Sequence, residues 1–435
     1  MPQSIAEQAE LPRKLGLLDA TSIVAGTMIG AGIFLVPSLI ARSVPSGPHI
    51  LAIWALAGVA SFCGALGYAE LGAMFPRSGG QYVYLREAYG RLPAFLAGWA
   101  FLLIIQSGAI AAVATGFGIY LAYLFPKVSV PAAAAVLIAV LSAINYLGVR
   151  QGARVQVVFM AAKLAGIGVL ISSAFSGLPP VPLQTLPHVP LPALGSALLA
   201  AFVAFEGWHV VAFVAGEVKA PKRNLPLALA LGVSGVMIVY LLTNWAFLRV
   251  LTLPEIAAST RVAADTASRV WGPGGAALVT WIILLSSIGC ANGSILTAPR
   301  VYFAQARDGL FFRQFAAIHP RFETPARSIV LQGVWACALT STGSYEVIAS
   351  YVIFISWAIH AATVSAVLVL RRTRPDLPRP YKMWGYTVTP LLFLAFSIWF
   401  TGNTLLERPG SSLAGCLILA SGIPAYYFLR REPTA

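Results

Sequence analysis

Apolar residues gather into twelve long runs divided by short polar stretches, at about 16–41, 49–74, 93–123, 131–147, 153–176, 191–217, 226–250, 275–303, 326–342, 344–370, 387–405 and 411–430. A helix needs roughly 20 apolar residues to cross the ~30 Å hydrocarbon core of a bilayer, and the runs are of that order. The pattern predicts an all-α integral membrane protein with 12 transmembrane helices, embedded in a lipid bilayer. Gly177 to Pro192 is proline-rich and reads as the link between two repeats, about 16–176 and about 191–370, with two helices appended at about 387–430. If helices one to five and six to ten are repeats, the odd number of crossings in each gives them opposite topology. No connection is long enough to fold by itself, so residues 1–435 are expected to form a single transmembrane domain. After the seventh run, Glu255 to Ala258 and Ala263 to Val270 are expected as short surface helices over one mouth, part of a lid.

Two runs are interrupted. The first contains Gly26-Thr27-Met28-Ile29-Gly30-Ala31-Gly32, and the sixth contains Val203-Ala204-Phe205-Glu206-Gly207-Trp208. Lipid cannot satisfy free backbone N–H and C=O groups, so unwound chain at membrane depth needs protein or a wet cavity around it. Paired breaks in corresponding halves point to the substrate site of a secondary transporter. The N–H groups of Gly30, Ala31 and Gly32, at the start of a second half-helix, form an anion site. The carbonyls near Thr27, Met28, Val203 and Ala204, at the ends of the other halves, would accept from an ammonium. A carboxylate and an ammonium held that close describe an α-amino acid. The competing reading of the glycines is close helix packing, since Gly26 and Gly30 form a GxxxG pattern.

Charge inside the apolar runs sharpens the picture. Glu206 lies in the second break, where an acid is a functional candidate by default. It could meet a substrate ammonium, carry a proton, or bond to Lys163 or His209; alternatively it is a neutral buried acid or bonds only to frayed backbone. Lys163, in the middle of the fifth run, has about two turns of apolar residues on either side and cannot snorkel. It is either a proton carrier, a fixed charge standing where another transporter binds a cation, or a structural ammonium hydrogen-bonded to broken-helix carbonyls. Trp208 and His209 are candidate gating residues, with core packing the plainer alternative. Asn292 and Ser294 make an N-x-S triplet inside the eighth run, where glycosylation is not expected.

Composition then sets limits. Of 435 residues 58% are hydrophobic and 10% charged, with mean hydropathy +0.80, which no soluble domain approaches. The net charge of +14 would suit a nucleic-acid binder, but its placement argues against one. With the N-terminus in the cytoplasm, twenty-two of the 29 Lys and Arg fall on the cytoplasmic side and six on the other, Lys163 being interior. That asymmetry predicts a multi-pass protein of the cell inner membrane with both termini cytoplasmic. Met1 to Lys14 is polar and lacks the pattern of a cleaved signal. The four cysteines are scattered and read as packing residues, not as metal ligands or disulfides. There is no Walker A loop, HExxH or GxSxG, nor a helix-spaced His or acid pair for metal, so neither an enzyme nor a cofactor or metal is expected.

The motifs around the breaks resemble the amino acid–polyamine–organocation superfamily, and within it the L-type amino acid transporter family. Gly26 to Phe34, Ala204 to Trp208, Glu217-Val218-Lys219-Ala220-Pro221 and Arg223 to Pro226 carry the likeness, extended by Tyr240 to Asn244, Ser286 to Arg300 and Arg307-Asp308-Gly309. The resemblance implies a leucine-transporter-type 5+5 inverted repeat with helices 1 and 6 broken, and transport of L-amino acids, commonly as exchange and in some relatives with protons. It implies that Gly30, Ala31 and Gly32 hold the carboxylate, that Met28, Val203, Ala204 and Glu206 surround the ammonium, and that Lys163, with Ser286 nearby, occupies a position used elsewhere by sodium. The chain departs from the pattern at Ala31, Val203, Glu206 and His209, which bears on gating, preference and coupling. Animal members join a heavy chain through a cysteine between helices three and four. Leu124 to Pro131 has none, so no disulfide-linked partner is expected. A proton-coupled symporter, an amine or polyamine carrier and a passive channel are the alternatives to exchange.

Overall fold

A computed structural model describes residues 10–177, 179, 181–182, 189–341, 345–407 and 409–430. Most of the proline-rich link, the polar start of the chain before residue 10, Arg408 and Arg431 lie outside the described residues. Of the described residues 81% are helical. Among the described residues there is no strand, only an isolated bridge between Leu15 and Val218.

The helices run α1 Leu17–Met28, α2 Gly32–Ser43, α3 Gly47–Met74, α4 Gln81–Tyr89, α5 Arg91–Ala100, α6 Gln106–Leu124, α7 Val130–Tyr146, α8 Val149–Ser172, α9 Leu191–Phe205, α10 Pro221–Val250, α11 Leu253–Ala258, α12 Val262–Trp271, α13 Pro273–Thr297, α14 Pro299–Arg307, α15 Ala326–Thr340, α16 Tyr345–Thr373, α17 Val388–Glu407 and α18 Pro409–Leu429. A π-helical turn at Phe101–Ile105 joins α5 to α6, and a 3-10 segment at Trp208–Glu217 follows α9. The two surface helices expected in the lid are α11 and α12; Arg42 at the end of α2 donates to the Ala257 carbonyl at 2.7 Å and ties α11 to α2.

Among the described residues nine helical spans are long and apolar enough to cross a membrane, and the bent pair α1–α2 makes a tenth. The other two expected spans are the 17-residue α7 and the 15-residue α15. At 1.5 Å per residue, 15 residues reach only about 22 Å, short of the hydrocarbon core. Among the described residues ten spans meet this measure, and α7 and α15 fall short of it.

The first break bends the chain by 41° between α1 and α2. Helix α1 packs on α8, α10 and α13, while α2 packs on α9 and α11. The half-helices of the first broken run therefore rest on different neighbours, which holds the break open.

One end of the bundle is sealed. The N–H groups of Lys14 and Leu15 donate to the Glu217 carbonyl at 2.8 and 2.9 Å, and Lys219 N–H returns to the Leu15 carbonyl at 2.8 Å. Beneath this strap the Glu217 carboxylate receives Arg300 through two bonds of 2.6 and 3.0 Å, both side chains fully buried. Lys14 also pairs with Glu323.

Candidate functional site

The two breaks meet. The Thr27 hydroxyl lies 3.0 Å from the Gly207 carbonyl oxygen, and also near the Ile23 and Val24 carbonyls of its own helix. Gly207 has φ +114°, a left-handed conformation, and a Cβ there would stand 3.0 Å from the Thr27 carbonyl carbon. A Cβ on Gly32 would stand 3.0 Å from Ala204 Cα. The glycines at these points are required by backbone lying against backbone.

The GxxxG reading divides. A Cβ on Gly26 would collide with the Gln156 amide at 2.1 Å, so Gly26 serves packing, whereas one on Gly30 would meet only Cys290 Sγ at an ordinary 3.5 Å.

Helix α2 starts at Gly32 with Ala31 as its N-cap, and the first N–H groups of a helix have no partner within it. Ala31 and Gly32 keep some exposure at membrane depth. Gly30 differs from expectation, since its N–H donates to the Met28 carbonyl at 2.9 Å. The Met28 carbonyl also faces the Tyr240 hydroxyl at 2.8 Å, and that hydroxyl is 2.9 Å from the Ala204 carbonyl. Tyr240 thus shares one proton between the two breaks, and it leaves Met28 no lone pair for an ammonium. Ala204 keeps one.

Lys163 is fully buried. Its ammonium donates to the carbonyls of Gly26, Ile29 and Ser286 at 2.8, 2.7 and 3.1 Å, using all three protons. The Ser286 hydroxyl donates to Ile29 as well, at 2.9 Å, and the Cys290 thiol to Thr27 at 3.1 Å. Of the expected roles for Lys163, the geometry is that of a structural ammonium on broken-helix carbonyls. It does not touch Glu206.

Glu206 Oε1 accepts from Ser356 at 3.1 Å and lies 3.0 Å from His360 Nε2 and 3.5 Å from His209 Nδ1. Its Oε2 is buried without a partner, although the side chain as a whole keeps 26% exposure. Trp208 is packed among Tyr68, His360 and Phe393 and fills space. Phe205 stacks edgewise on Tyr240 beside Trp54. Val203, expected as a reduced gate, is 38% exposed.

Several residues escape sequence reasoning. His360 and Ser356 are 154 and 150 positions from Glu206, and nothing in a local pattern links them. Asn292 donates to Gly152 and Gln156, Asn145 donates to Asn292, and Gln156 donates to the Ser22 carbonyl, a buried ladder joining α13, α8, α7 and α1. A polar residue in an apolar run is its only sequence signal.

A family model described as amino acid permease matches residues 15–421. The b(0,+)-type amino acid transporter 1 of Homo sapiens is 34% identical over 96% of this chain and 88% of its own. The serine/threonine exchanger SteT of Bacillus subtilis (strain 168) is 32% identical over 98% and 99%, and the cystine/glutamate transporter of Homo sapiens is 31% identical over 97% and 86%. These matches bear out the superfamily and the L-type branch that the break motifs indicate. With two breaks in contact at membrane depth and a family match over nearly its whole length, this chain belongs to the amino acid permease family.

Proposed function

We propose that this protein exchanges L-amino acids across the cytoplasmic membrane by alternating access around the two facing breaks. The observation that carries this is the contact of Thr27 with Gly207, which, with Gly32 against Ala204, brings the start of α2 beside the partly exposed Glu206 and Gly207. The carboxylate binds the N–H groups at the start of α2, and the ammonium lies toward the Ala204 carbonyl and Glu206. One relative supports exchange by name, the serine/threonine exchanger, and the cystine/glutamate transporter supports amino acids as the substrate. Lys163 supports it too, because an ammonium already fixed to three carbonyls has no need of a co-transported cation at that point. We infer twelve crossings in a 5+5 inverted repeat, α7 and α15 crossing a locally thinned bilayer. Both termini are cytoplasmic by charge asymmetry, so the strapped end faces inward. No disulfide-linked heavy chain is needed, as Leu124 to Pro131 lacks cysteine.

A second reading, proton symport, is favoured by the unpartnered Glu206 Oε2 at membrane depth. Purified protein in liposomes separates the two. Uptake of radiolabelled L-amino acids that requires internal amino acid establishes exchange. Uptake into empty liposomes driven by an imposed proton gradient overturns it in favour of symport.

A further inference from the structure

We propose that Glu206, His209 and His360 form a binding site for a first-row divalent transition ion of the Zn2+ class, and that its occupation locks the unwound sixth helix to α16. The three donor atoms Glu206 Oε1, His209 Nδ1 and His360 Nε2 lie within 4.8 Å of one another, with Glu206 3.0 Å from His360 and 3.5 Å from His209. Ligands at bond lengths of about 2.0–2.2 Å in a tetrahedron are separated by roughly 3.3 Å, so small side-chain rotations bring all three to one ion. Two imidazoles and a carboxylate are a donor set that suits Zn2+ and its neighbours better than Mg2+ or Ca2+.

The surroundings favour an ion as well. His209 Nδ1 and Glu206 Oε2 are both buried without a hydrogen-bond partner. Among the described residues no Lys or Arg forms an ion pair with Glu206, so its charge lacks a fixed cation.

Each imidazole also has polar support behind it, as metal-bound histidines generally do. His209 Nε2 lies 3.3 Å from the Gln106 amide, and His360 Nδ1 lies 2.8 Å from the Tyr68 hydroxyl and 3.2 Å from the Gln81 amide. Gln81 Oε1 is itself buried and unpaired. Amide oxygen and nitrogen are interchangeable by a half-turn, so Gln106 and Gln81 can each present an oxygen to the ring N–H opposite the ion. The fourth position faces the space that leaves Glu206 26% exposed, where water can complete the coordination.

Glu206 lies in the break and His209 in the 3-10 segment that follows it, whereas His360 and Ser356 belong to α16. A shared ion therefore bridges two elements that alternating access must move apart. The site does not depend on the transport reading; the locking does.

The test uses purified protein free of histidine tags, titrated with Zn2+ against a chromophoric chelator and with Co2+ by visible absorption. One ion per chain is expected, with the intense bands of four-coordinate Co2+. Binding should weaken by more than about 100-fold in His209→Gln or His360→Gln, beyond the loss typical of an outer-shell partner. It should be unchanged in His49→Gln and His319→Gln. No stoichiometric binding, or binding that survives both substitutions, overturns the site. Should those variants fail to fold, the wild-type spectrum decides alone, since the weak bands of an all-oxygen octahedral ion overturn it too. In liposomes, Zn2+ should slow exchange reversibly, with chelator restoring the rate and His360→Gln resisting inhibition. Binding without inhibition leaves the site standing and overturns the lock.

Discussion

The Lys163 ammonium donates to the Ile29 carbonyl oxygen at 2.7 Å. A continuous helix would have satisfied that carbonyl from its own backbone; here a side chain from α8 does so. Because the same nitrogen also holds Gly26 and Ser286, α1, the break, α8 and α13 meet at one atom. Lys163→Ala takes one donor from each of three buried carbonyls; Ile29 keeps the Ser286 hydroxyl, and any carbonyl left with no donor costs about 1–3 kcal/mol. Exchange in liposomes should fall by at least tenfold, with protein still reaching the membrane. Wild-type rates in this variant would remove the clamp from the mechanism.

Tyr240→Phe offers a milder cut. The ring keeps its packing on Trp54 and Phe205, but the hydroxyl shared between Met28 and Ala204 is lost. Met28 keeps the Gly30 N–H, but the Ala204 carbonyl is left unpaired, which costs about 1–3 kcal/mol. Exchange should slow by about tenfold with little change in membrane abundance, as initial-rate assays would show.

The glycines of the two breaks should respond differently to the same methyl group. Gly207→Ala forces a left-handed backbone on alanine, about 1–2 kcal/mol, and presses Cβ onto Thr27. Gly30→Ala meets only ordinary contact with Cys290. Thermal unfolding in detergent should show the larger loss for Gly207→Ala; equal losses would mean that the breaks do not touch as described.

At the sealed end, Glu217→Gln leaves Arg300 charged and buried. Breaking such a pair typically costs about 3–5 kcal/mol. Glu323→Gln removes only the half-exposed partner of Lys14, worth about 0–1 kcal/mol. Cysteine labelling at Ser78, near the strap, should rise strongly in the first variant and scarcely in the second.

Helix α11 carries a pH response. The Glu255 carboxyl is held below the usual carboxylate range by the Thr252 backbone N–H and hydroxyl, with Arg269 adding to it. A depressed folded pKa stabilises above the unfolded value, about 4.3, and the benefit disappears as pH falls through the folded value. The small gap in melting temperature between wild type and Glu255→Gln at pH 7 should therefore close below about pH 4.

How much of this was legible in the sequence follows from the range of each interaction. The breaks, the lid helices and Lys163 are local departures from an apolar background, and each was visible as such. The helix count was less secure, because composition marks α7 and α15 as apolar without fixing their length. The partners of those departures are long-range. Tyr240 reads as one more aromatic until its hydroxyl is seen between Met28 and Ala204, and His360 reads as a lone histidine until it stands beside Glu206. Their pairing depends on how helices pack, which no spacing along the chain encodes.

The strap at Lys14 and Leu15 sets an order on the making of the protein. Its partners are Glu217, Lys219 and Glu323, so this segment leaves the ribosome 309 residues before the last of its contacts can form. Until then the nascent bundle has no closed end, and this strap is among the last parts of the molecule to form.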